Sequence, residues 1–257
     1  MRFLKIATAL LALAGALAPA AALAEATDVT VRVLSRDAKF VGSSMGGVRI
    51  TLSDAQTGEP LATGLTSGGT GDTSKIMHDD RGRRARLADD SAAAFRTTLD
   101  LERPRLVEVK AHGPLAAPQA AHTVTSTQWV VPGRDLSGGD GWVLELPGFV
   151  VEVLEPGGHT ALSADAGAVQ VRASVEMMCG CPIKPGGLWD ADGYEVAMTL
   201  HRDGERVGEF GLDYAGETSR FEGRVPIDGA GTYEVVVHAY DRETGNTGLD
   251  RTTFVVE

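Results

Sequence analysis

Cysteine and basic residues are scarce in this chain of 257 residues. There are only two cysteines, Cys179 and Cys181, and no CxxC or HxxxH motif lies near them, so the further ligands of a tetrahedral zinc site are missing. Phosphate-binding loops, zinc-protease helices and paired cofactor motifs are absent as well. Acidic residues outnumber basic ones by 35 to 24, and the formal net charge is -11. A surface this acidic repels phosphate backbones, which argues against nucleic acid as a partner.

The first residues have the three parts of a secretory signal peptide. Arg2 and Lys5 supply positive charge, residues 10–17 form an apolar run, and residues 22–24 (Ala-Leu-Ala) form a cleavage site. The apolar run is shorter than the roughly 20 residues that a membrane span needs. We therefore expect residues 1–24 to be removed, and the mature protein to be soluble in the periplasm with no membrane insertion.

Alternation of apolar and polar residues predicts strands in the second half of the chain. It runs through residues 169–177 and again through residues 194–200, a period of two that places one apolar face on a sheet. Asp203-Gly204 then supplies the positive φ angles of a tight hairpin. Further strands are predicted at residues 149–154, 221–225, 233–240 and 252–256. Short strands separated by Gly and Pro turns predict a β-sandwich.

The end of this half resembles the last hairpin of bacterial immunoglobulin-like domains. The resemblance rests on residues 229–235 (Gly-Ala-Gly-Thr-Tyr-Glu-Val), which begin a strand, and on residues 239–247, which contain an Asp and a Gly-Asn turn. It implies an immunoglobulin-like sandwich over residues 149–257 and no activity, because these motifs are structural.

The first half of the mature chain is also predicted to be β. Val29, Val31 and Val33 alternate with polar residues, and a second strand at residues 48–52 leads into a turn at residues 54–58. This opening resembles that of transthyretin-like or carboxypeptidase-regulatory-like sandwiches, which implies a first domain over residues 25–148. Other strands are predicted at residues 95–101, 106–111, 122–131 and 142–146, and an exposed loop at residues 63–86. The predicted fold class is therefore all-β, with two β-sandwich domains.

Residues 177–182 (Met-Met-Cys-Gly-Cys-Pro) hold the one chemically distinctive motif. If the preceding strand continues, Met177, Cys179 and Cys181 share its inward face. Thiolate and thioether sulfur favour Cu(I) over harder ions. This predicts a copper site with Cys179 and Cys181 as ligands and Met177 or Met178 in support.

The same two cysteines can instead form a disulfide, the usual state in an oxidising compartment. In an extended strand the Cα atoms of residues i and i+2 lie about 6.6 Å apart, near the upper limit for a disulfide. Gly180 would let the chain pucker and close the bond. The bridge would then be a local staple, or a thiol–disulfide or electron-transfer pair.

Other candidate residues have structural explanations as well as functional ones. Trp189 could contact a partner or cover the sandwich core, and residues 190–193 (Asp-Ala-Asp-Gly) are predicted to form a turn because the other ligands of a calcium loop are missing. His201 and His238 are imidazoles on the outward faces of their strands. Residues 42–46 fit GxSxG, yet a strand follows where a serine hydrolase needs a helix, and residues 78–80 (His-Asp-Asp) fit a solvated loop.

Three hypotheses for function remain open. The first is a periplasmic metal-handling accessory protein, with copper as the cofactor. The second is a non-enzymatic interaction module with a Cys179–Cys181 disulfide, whose partner is another exported protein. The third is a thiol–disulfide or electron-transfer partner. No catalytic residues are predicted.

Overall fold

The computed structural model describes residues 24–78, 82 and 85–257. Residues 1–23 of the predicted signal peptide and Asp79 and Asp80 of the predicted loop lie outside the described residues. None of the helices in the described ranges is long and apolar enough to cross a membrane. Strands dominate, with short helical turns at Ser43–Met45, Ser74–His78, Ala164–Ala166 and Ala191–Gly193.

Seven strands build the first half of the described chain. They are β1 (Glu25–Ser35), β2 (Arg49–Asp54), β3 (Pro60–Leu65), β4 (Phe95–Leu101), β5 (Arg105–Gly113), β6 (His122–Val130) and β7 (Trp142–Leu146). One sheet has the order β4-β1-β7, with β1 and β7 parallel, and the other has the order β3-β2-β5-β6. Alternating residues such as Val31, Ile50, Val109 and Leu144 fill the core of this half.

Nine strands build the second half. They are β8 (Phe149–Glu155), β9 (Thr160–Leu162), β10 (Ala168–Met177), β11 (Tyr194–Arg202), β12 (Glu205–Gly211), β13 (Asp213–Tyr214), β14 (Arg220–Pro226), β15 (Gly231–Asp241) and β16 (Thr247–Val256). The sheets have the orders β13-β14-β10-β8 and β12-β11-β15-β16-β9. Among the described strands, none of the first half pairs with a strand of the second half. The chain passes from one half to the other at Pro147 and Gly148, between β7 and β8.

The strand order of the second half is that of an immunoglobulin-like sandwich. In that fold, strands A, B, E and D form one sheet and strands C, F and G the other, with C′ beside C in the variable type. Assigning β8, β10, β14 and β13 to A, B, E and D, and β12, β11, β15 and β16 to C′, C, F and G, reproduces the order of both sheets, to which β9 adds an edge strand parallel to β16. Tyr233, near the start of β15, donates its hydroxyl to the Gly229 carbonyl at 3.0 Å, as in a tyrosine corner. The predicted all-β fold and the immunoglobulin-like second half are confirmed.

Most predicted strands are found within a few residues of their predicted ends, and the hairpin at Asp203-Gly204 has the expected positive φ angles of 50° and 86°. The prediction of an exposed loop from residue 63 was wrong in part. Strand β3 continues to Leu65, and the next residue, Thr66, is buried and donates its hydroxyl to the Val41 carbonyl at 3.1 Å. The sequence of this strand contains Gly and Thr, so it lacks the clear apolar alternation that predicts a strand.

Candidate functional site

The two sandwiches meet at a contact surface that we call the seam. It comprises Asp37, Gly148, Met178, Trp189 and Asn246. The Asn246 side chain, 1% exposed, accepts from the Gly148 N–H at 3.0 Å and donates to the Arg36 carbonyl at 3.4 Å. This buried amide of the second half, bonded to the first half and to the junction between the halves, ties them together, because breaking either bond would leave a polar group without water.

The cysteine motif lies next to this seam. Strand β10 ends at Met177, and the chain then turns: the Gly180 N–H donates to the Met177 carbonyl at 2.8 Å, and the Met177 N–H donates to the Cys181 carbonyl at 3.1 Å. Gly180 has a φ of +71°, which an L side chain rarely adopts. The condition for three aligned sulfur atoms, a strand that continues through Cys181, is therefore not met, because the turn interrupts the alternation.

This turn brings the two cysteines together in a disulfide. Their Cα atoms lie 5.3 Å apart, closer than an extended strand would hold them. Cys179 is 1% exposed and Cys181 4%, and both pack into the core of the second sandwich with Met177. Met178 instead packs into the core of the first sandwich. The four residues of the predicted copper site are thus divided between two cores.

A further methionine covers the disulfide turn from the first sandwich. A Cβ atom built on Gly180 would lie 2.6 Å from the Sδ atom of Met45. Met45 comes from the Ser43–Met45 turn and belongs to the core of the first half. Nothing local in the sequence indicates this contact, because it joins residues far apart in the chain.

Glu176 is the titratable group beside the disulfide. It is half-buried, and one of its carboxylate oxygens would lie 4.0 Å from a Cβ at Gly180. Burial raises the pKa of the Glu176 carboxyl; Arg220 opposes this effect and Glu152 adds to it. The turn therefore has one carboxyl group whose neutral form is favoured by its surroundings.

Trp189 does not offer its ring to an outside partner. It is 6% exposed, packs into the second core, and its indole N–H donates to the Asp37 carbonyl at 2.9 Å. Of the two alternatives for Trp189, this position is that of a residue that covers the sandwich core, and its hydrogen-bond partner belongs to the same chain. The exposed tryptophan is Trp129, at 57%.

Alternation along β6 is the sequence signal that places Trp129 on an outward face. Thr123, Thr125, Thr127 and Trp129 alternate along β6, so the tryptophan shares the polar, outward face with three threonines. Leu106 lies directly opposite Trp129 on β5. The pair forms an apolar spot on an otherwise polar sheet face.

The imidazole of His238 joins a different cluster, on the outer face of the five-stranded sheet. One ligand atom each from Glu195, Glu209 and His238 lie within 4.8 Å of one another. Both carboxylates already have arginine partners at 2.8 Å, Arg242 for Glu195 and Arg206 for Glu209. The Arg242 hydrogen bond lowers the pKa of the Glu195 carboxyl. This cluster is therefore a network of ion pairs around one imidazole.

His238 also lines a cleft of about 490 Å³ between the sandwiches, together with His122, Phe149 and Leu249. A cleft at a domain interface is a common position for a small-molecule site. The other predicted imidazole, His201, faces Glu234 at 3.8 Å.

The GxSxG and Asp-Ala-Asp-Gly motifs have the structures expected of them, whereas His78 lies in a helical turn and Asp79 and Asp80 lie outside the described residues. Residues 42–46 form a short turn followed by strand β2, so Ser44 is not on the strand-to-helix elbow of a serine hydrolase. Asp190 caps the Ala191–Gly193 turn by accepting from the Asp192 N–H. His78 ends the Ser74–His78 turn.

The sequence matches no protein-family model and no curated protein. An engineered protein of solved structure is similar at 16% identity, over 50% of this chain and 24% of its own, with a TM-score of 0.32. The fibronectin(III)-like modules of Clostridium thermocellum CbhA are similar at 12% identity, over 90% and 94% of the two chains, with a TM-score of 0.29. Titin domains z1z2 in complex with telethonin are similar at 11% identity, over 91% and 88%, with a TM-score of 0.24.

This chain thus spans about a quarter of the length of the engineered protein. TM-scores this low are too weak to support a fold assignment. The immunoglobulin-like assignment of the second half therefore depends on the strand orders given above. The class defined by the fold is a two-sandwich β protein with an immunoglobulin-like second half.

Proposed function

We propose that this chain is an exported, non-enzymatic interaction module. Its two sandwiches present surfaces to another exported protein, and the Cys179–Cys181 disulfide staples the turn beside the seam. The observation that carries this proposal is the position of the disulfide, which lies in the core at 1% and 4% exposure under Met45. The one chemically distinctive motif of the sequence therefore serves the scaffold.

The disulfide agrees with the predicted export of the chain. Disulfides persist in oxidising compartments such as the periplasm and are rare in the cytosol. The predicted signal peptide and periplasmic location supply that environment.

Trp129 is the contact residue that we propose for the partner. Tryptophan is among the residues that most often dominate binding energy at protein interfaces, because its ring contributes a large apolar area and few rotamers. Leu106 beside it extends the spot, and Val131, 43% exposed, follows along the chain. The partner that suits this spot is an exported protein with an apolar pocket framed by hydrogen-bonding groups for the threonines.

Photo-crosslinking in the periplasm of the native host tests the interface. A photoreactive amino acid is placed at position 129, and in a matched control at position 207, where Val207 is 50% exposed in the other sandwich. We expect one discrete protein adduct from position 129 and none from position 207. A folded, exported variant that gives no adduct at position 129, or the same adducts at both positions, would contradict the proposal.

A second candidate, copper handling, is supported by the sulfur atoms around the turn. If the disulfide is reduced, two thiolates lie beside the Met177 thioether in one core, and Met45 covers Gly180 from the other. Soft ligands of this kind bind Cu(I). A disulfide offers no thiolate to a metal. This function therefore requires an external reductant that gives the bridge two electrons, after which the two sulfur atoms bind the metal in their deprotonated form.

One measurement separates the two candidates. The mature protein is purified from the periplasm, and bound metal and free thiols are counted together, with Cys179→Ser as the comparison. If the disulfide is a structural staple, as the interaction-module proposal requires, the protein is metal-free and has no titratable thiol. Stoichiometric copper that is lost in Cys179→Ser would favour the copper candidate instead. A bridge that a periplasmic oxidoreductase reduces in the folded protein would favour the thiol–disulfide hypothesis.

We also propose that the first sandwich is transthyretin-like or carboxypeptidase-regulatory-like. The proposal is supported by its seven strands in sheets of three and four, and by the opening strand, turn and strand that carry the sequence resemblance. It adds a fold relationship and no activity.

A further inference from the structure

Strand β6 lies at the edge of its sheet with a free side. In the sheet β3-β2-β5-β6 it pairs with β5 alone, and the register runs without a break from His122 to Val130. About half of the backbone N–H and C=O groups of an edge strand point away from the sheet. Within the described residues, no hydrogen bond reaches a backbone group of β6 from outside β5. Strand β6 therefore offers free backbone donors and acceptors along nine residues.

The other edge strands of the described sheets have features that hinder pairing with a second chain, namely shortness, charge, proline or a shifted register. Strands β9, β13 and β7 have only three, two and five residues. Strands β4 and β12 carry charged side chains, and β3 begins at Pro60 and pairs with a shifted register. Strand β8 also has a shifted register, and its Val153 N–H donates to the Asp250 carboxylate at 2.8 Å. Strand β6, by contrast, has no Asp, Glu, Lys, Arg or Pro.

The side chains of β6 show that this side of the first sandwich is open. Val124, Ser126 and Gln128 point between the two sheets, yet they are only half-buried. The inward residues of the neighbouring strand β5 are fully buried, at 0% exposure: Val107, Val109 and Ala111. On the outer face of β6, Trp129 is 57% exposed. A strand added beside β6 would therefore cover the flanks of Val124 and Trp129 and pair the free backbone groups at the same time.

We propose that the partner protein supplies an extended segment that pairs with β6 as a fifth strand of this sheet, an inference that rests on the proposed function. In strand addition, main-chain hydrogen bonds provide affinity and contacts with alternate side chains provide specificity. Because β6 carries no charged side chain, the segment that suits it is uncharged.

The two faces of β6 define the side chains of that segment. One set of alternate residues lies beside the exposed threonines and Trp129, where hydroxylated or β-branched residues and one aromatic residue form favourable cross-strand pairs. The other set lies beside Val124, where small apolar residues fit between the sheets. The segment is therefore an uncharged strand of up to nine residues with these two alternating faces.

Photo-crosslinking along β6 in the periplasm of the native host tests the length of the contact. A photoreactive amino acid at position 123 lies about 20 Å along the strand from position 129, and position 98, exposed on edge strand β4 of the same sandwich, is the control. We expect an adduct with the same protein from positions 123 and 129 and none from position 98. An adduct from position 129 without one from position 123 would overturn strand addition and leave the Trp129 interface standing. Adducts with a second copy of this chain would overturn the assignment to a partner protein.

Proline substitutions test whether the β6 backbone makes the contact. Thr125 and Ser126 are neighbours on β6, so the N–H of one faces β5 and the N–H of the other faces outward. Proline is tolerated on an edge strand where the N–H faces outward. We therefore expect one of Thr125→Pro and Ser126→Pro to melt close to the parent protein and the other to be clearly destabilised.

The folded proline variant should lose the adduct at position 123 by about tenfold or more, because it lacks a donor and disturbs the neighbouring pairs. Alanine at the same position keeps the N–H and is the matched control, with an adduct yield within about twofold of the parent. An undiminished adduct in the folded proline variant would overturn the proposal, because the partner would then contact side chains alone. Unfolding of both proline variants would overturn it too, because neither N–H would then be free.

Discussion

Trp189 and Asp37 are joined across the seam by a hydrogen bond of 2.9 Å from the indole N–H to the main-chain carbonyl. The two residues are 152 positions apart, and Asp37 lies at the end of a tight turn after β1 with a φ of +53°. The next residue, Ala38, packs into the core of the second sandwich. The turn of one sandwich therefore completes the core of the other.

We expect Trp189→Ala to destabilise the whole chain and not only the second sandwich. Truncating a buried aromatic costs about 3–5 kcal/mol, whereas Trp189→Phe keeps most of the ring and loses roughly 1 kcal/mol with its hydrogen bond. Urea unfolding followed by circular dichroism measures both losses. Trp129→Ala, a change at an exposed tryptophan, should shift stability by less than about 0.5 kcal/mol. A loss of stability confined to the second sandwich, with the first sandwich unfolding as it does in the parent protein, would contradict the prediction.

The disulfide should contribute little stability for a native bridge. It closes a loop of three residues, and the chain-entropy relation for so small a loop gives about 1.5 kcal/mol. The double variant Cys179→Ala/Cys181→Ala should therefore fold and lose about this amount in the same urea assay. A loss of more than about 3 kcal/mol would mean that the bridge holds strained or buried structure beyond its own loop.

Gly180 should tolerate substitution much less well than a similar glycine nearby. Gly180→Ala places a side chain at a φ of +71° and a Cβ atom 2.6 Å from the Met45 Sδ. Gly186 has a similar φ of +64° and open space around it, so Gly186→Ala carries only the backbone cost of roughly 1–2 kcal/mol. The difference in unfolding free energy between the two variants measures the Met45 contact. Equal losses would mean that Met45 moves aside freely.

The apolar–polar pattern of the sequence predicts most of the strands but few of the contacts between distant parts of the chain. Alternation located β10 and β11 because one face of each is buried, and a period of two is visible without tertiary structure. A glycine at position 180 allows a turn, but the sequence does not predict its cover by Met45, since contacts between distant residues leave no local pattern. The burial of Arg32 cannot be predicted for a related reason: alternation places this charged residue on an outward face, and only the fold brings the Asp140 segment over it.

Glu176 should make stability depend on pH in the acidic range. Burial raises the pKa of its carboxyl in the folded state, so the protonated form favours folding. This contribution is present below the pKa of the unfolded chain, near 4.3 for a model Glu, and is lost as the pH rises through the higher folded pKa. Glu176→Gln keeps a neutral side chain at every pH, and it should therefore raise the melting temperature at pH 7 and have almost no effect at pH 4.

Glu102→Gln serves as the control for this pH profile. Glu102 is exposed and makes no ion pair with any described residue, so its substitution should give the same small shift at both pH values. Melting curves of the parent protein, Glu176→Gln and Glu102→Gln between pH 4 and pH 8 test the prediction. A Glu176→Gln variant that is less stable than the parent at pH 7 would mean that attraction to Arg220 outweighs the cost of burying the Glu176 carboxylate.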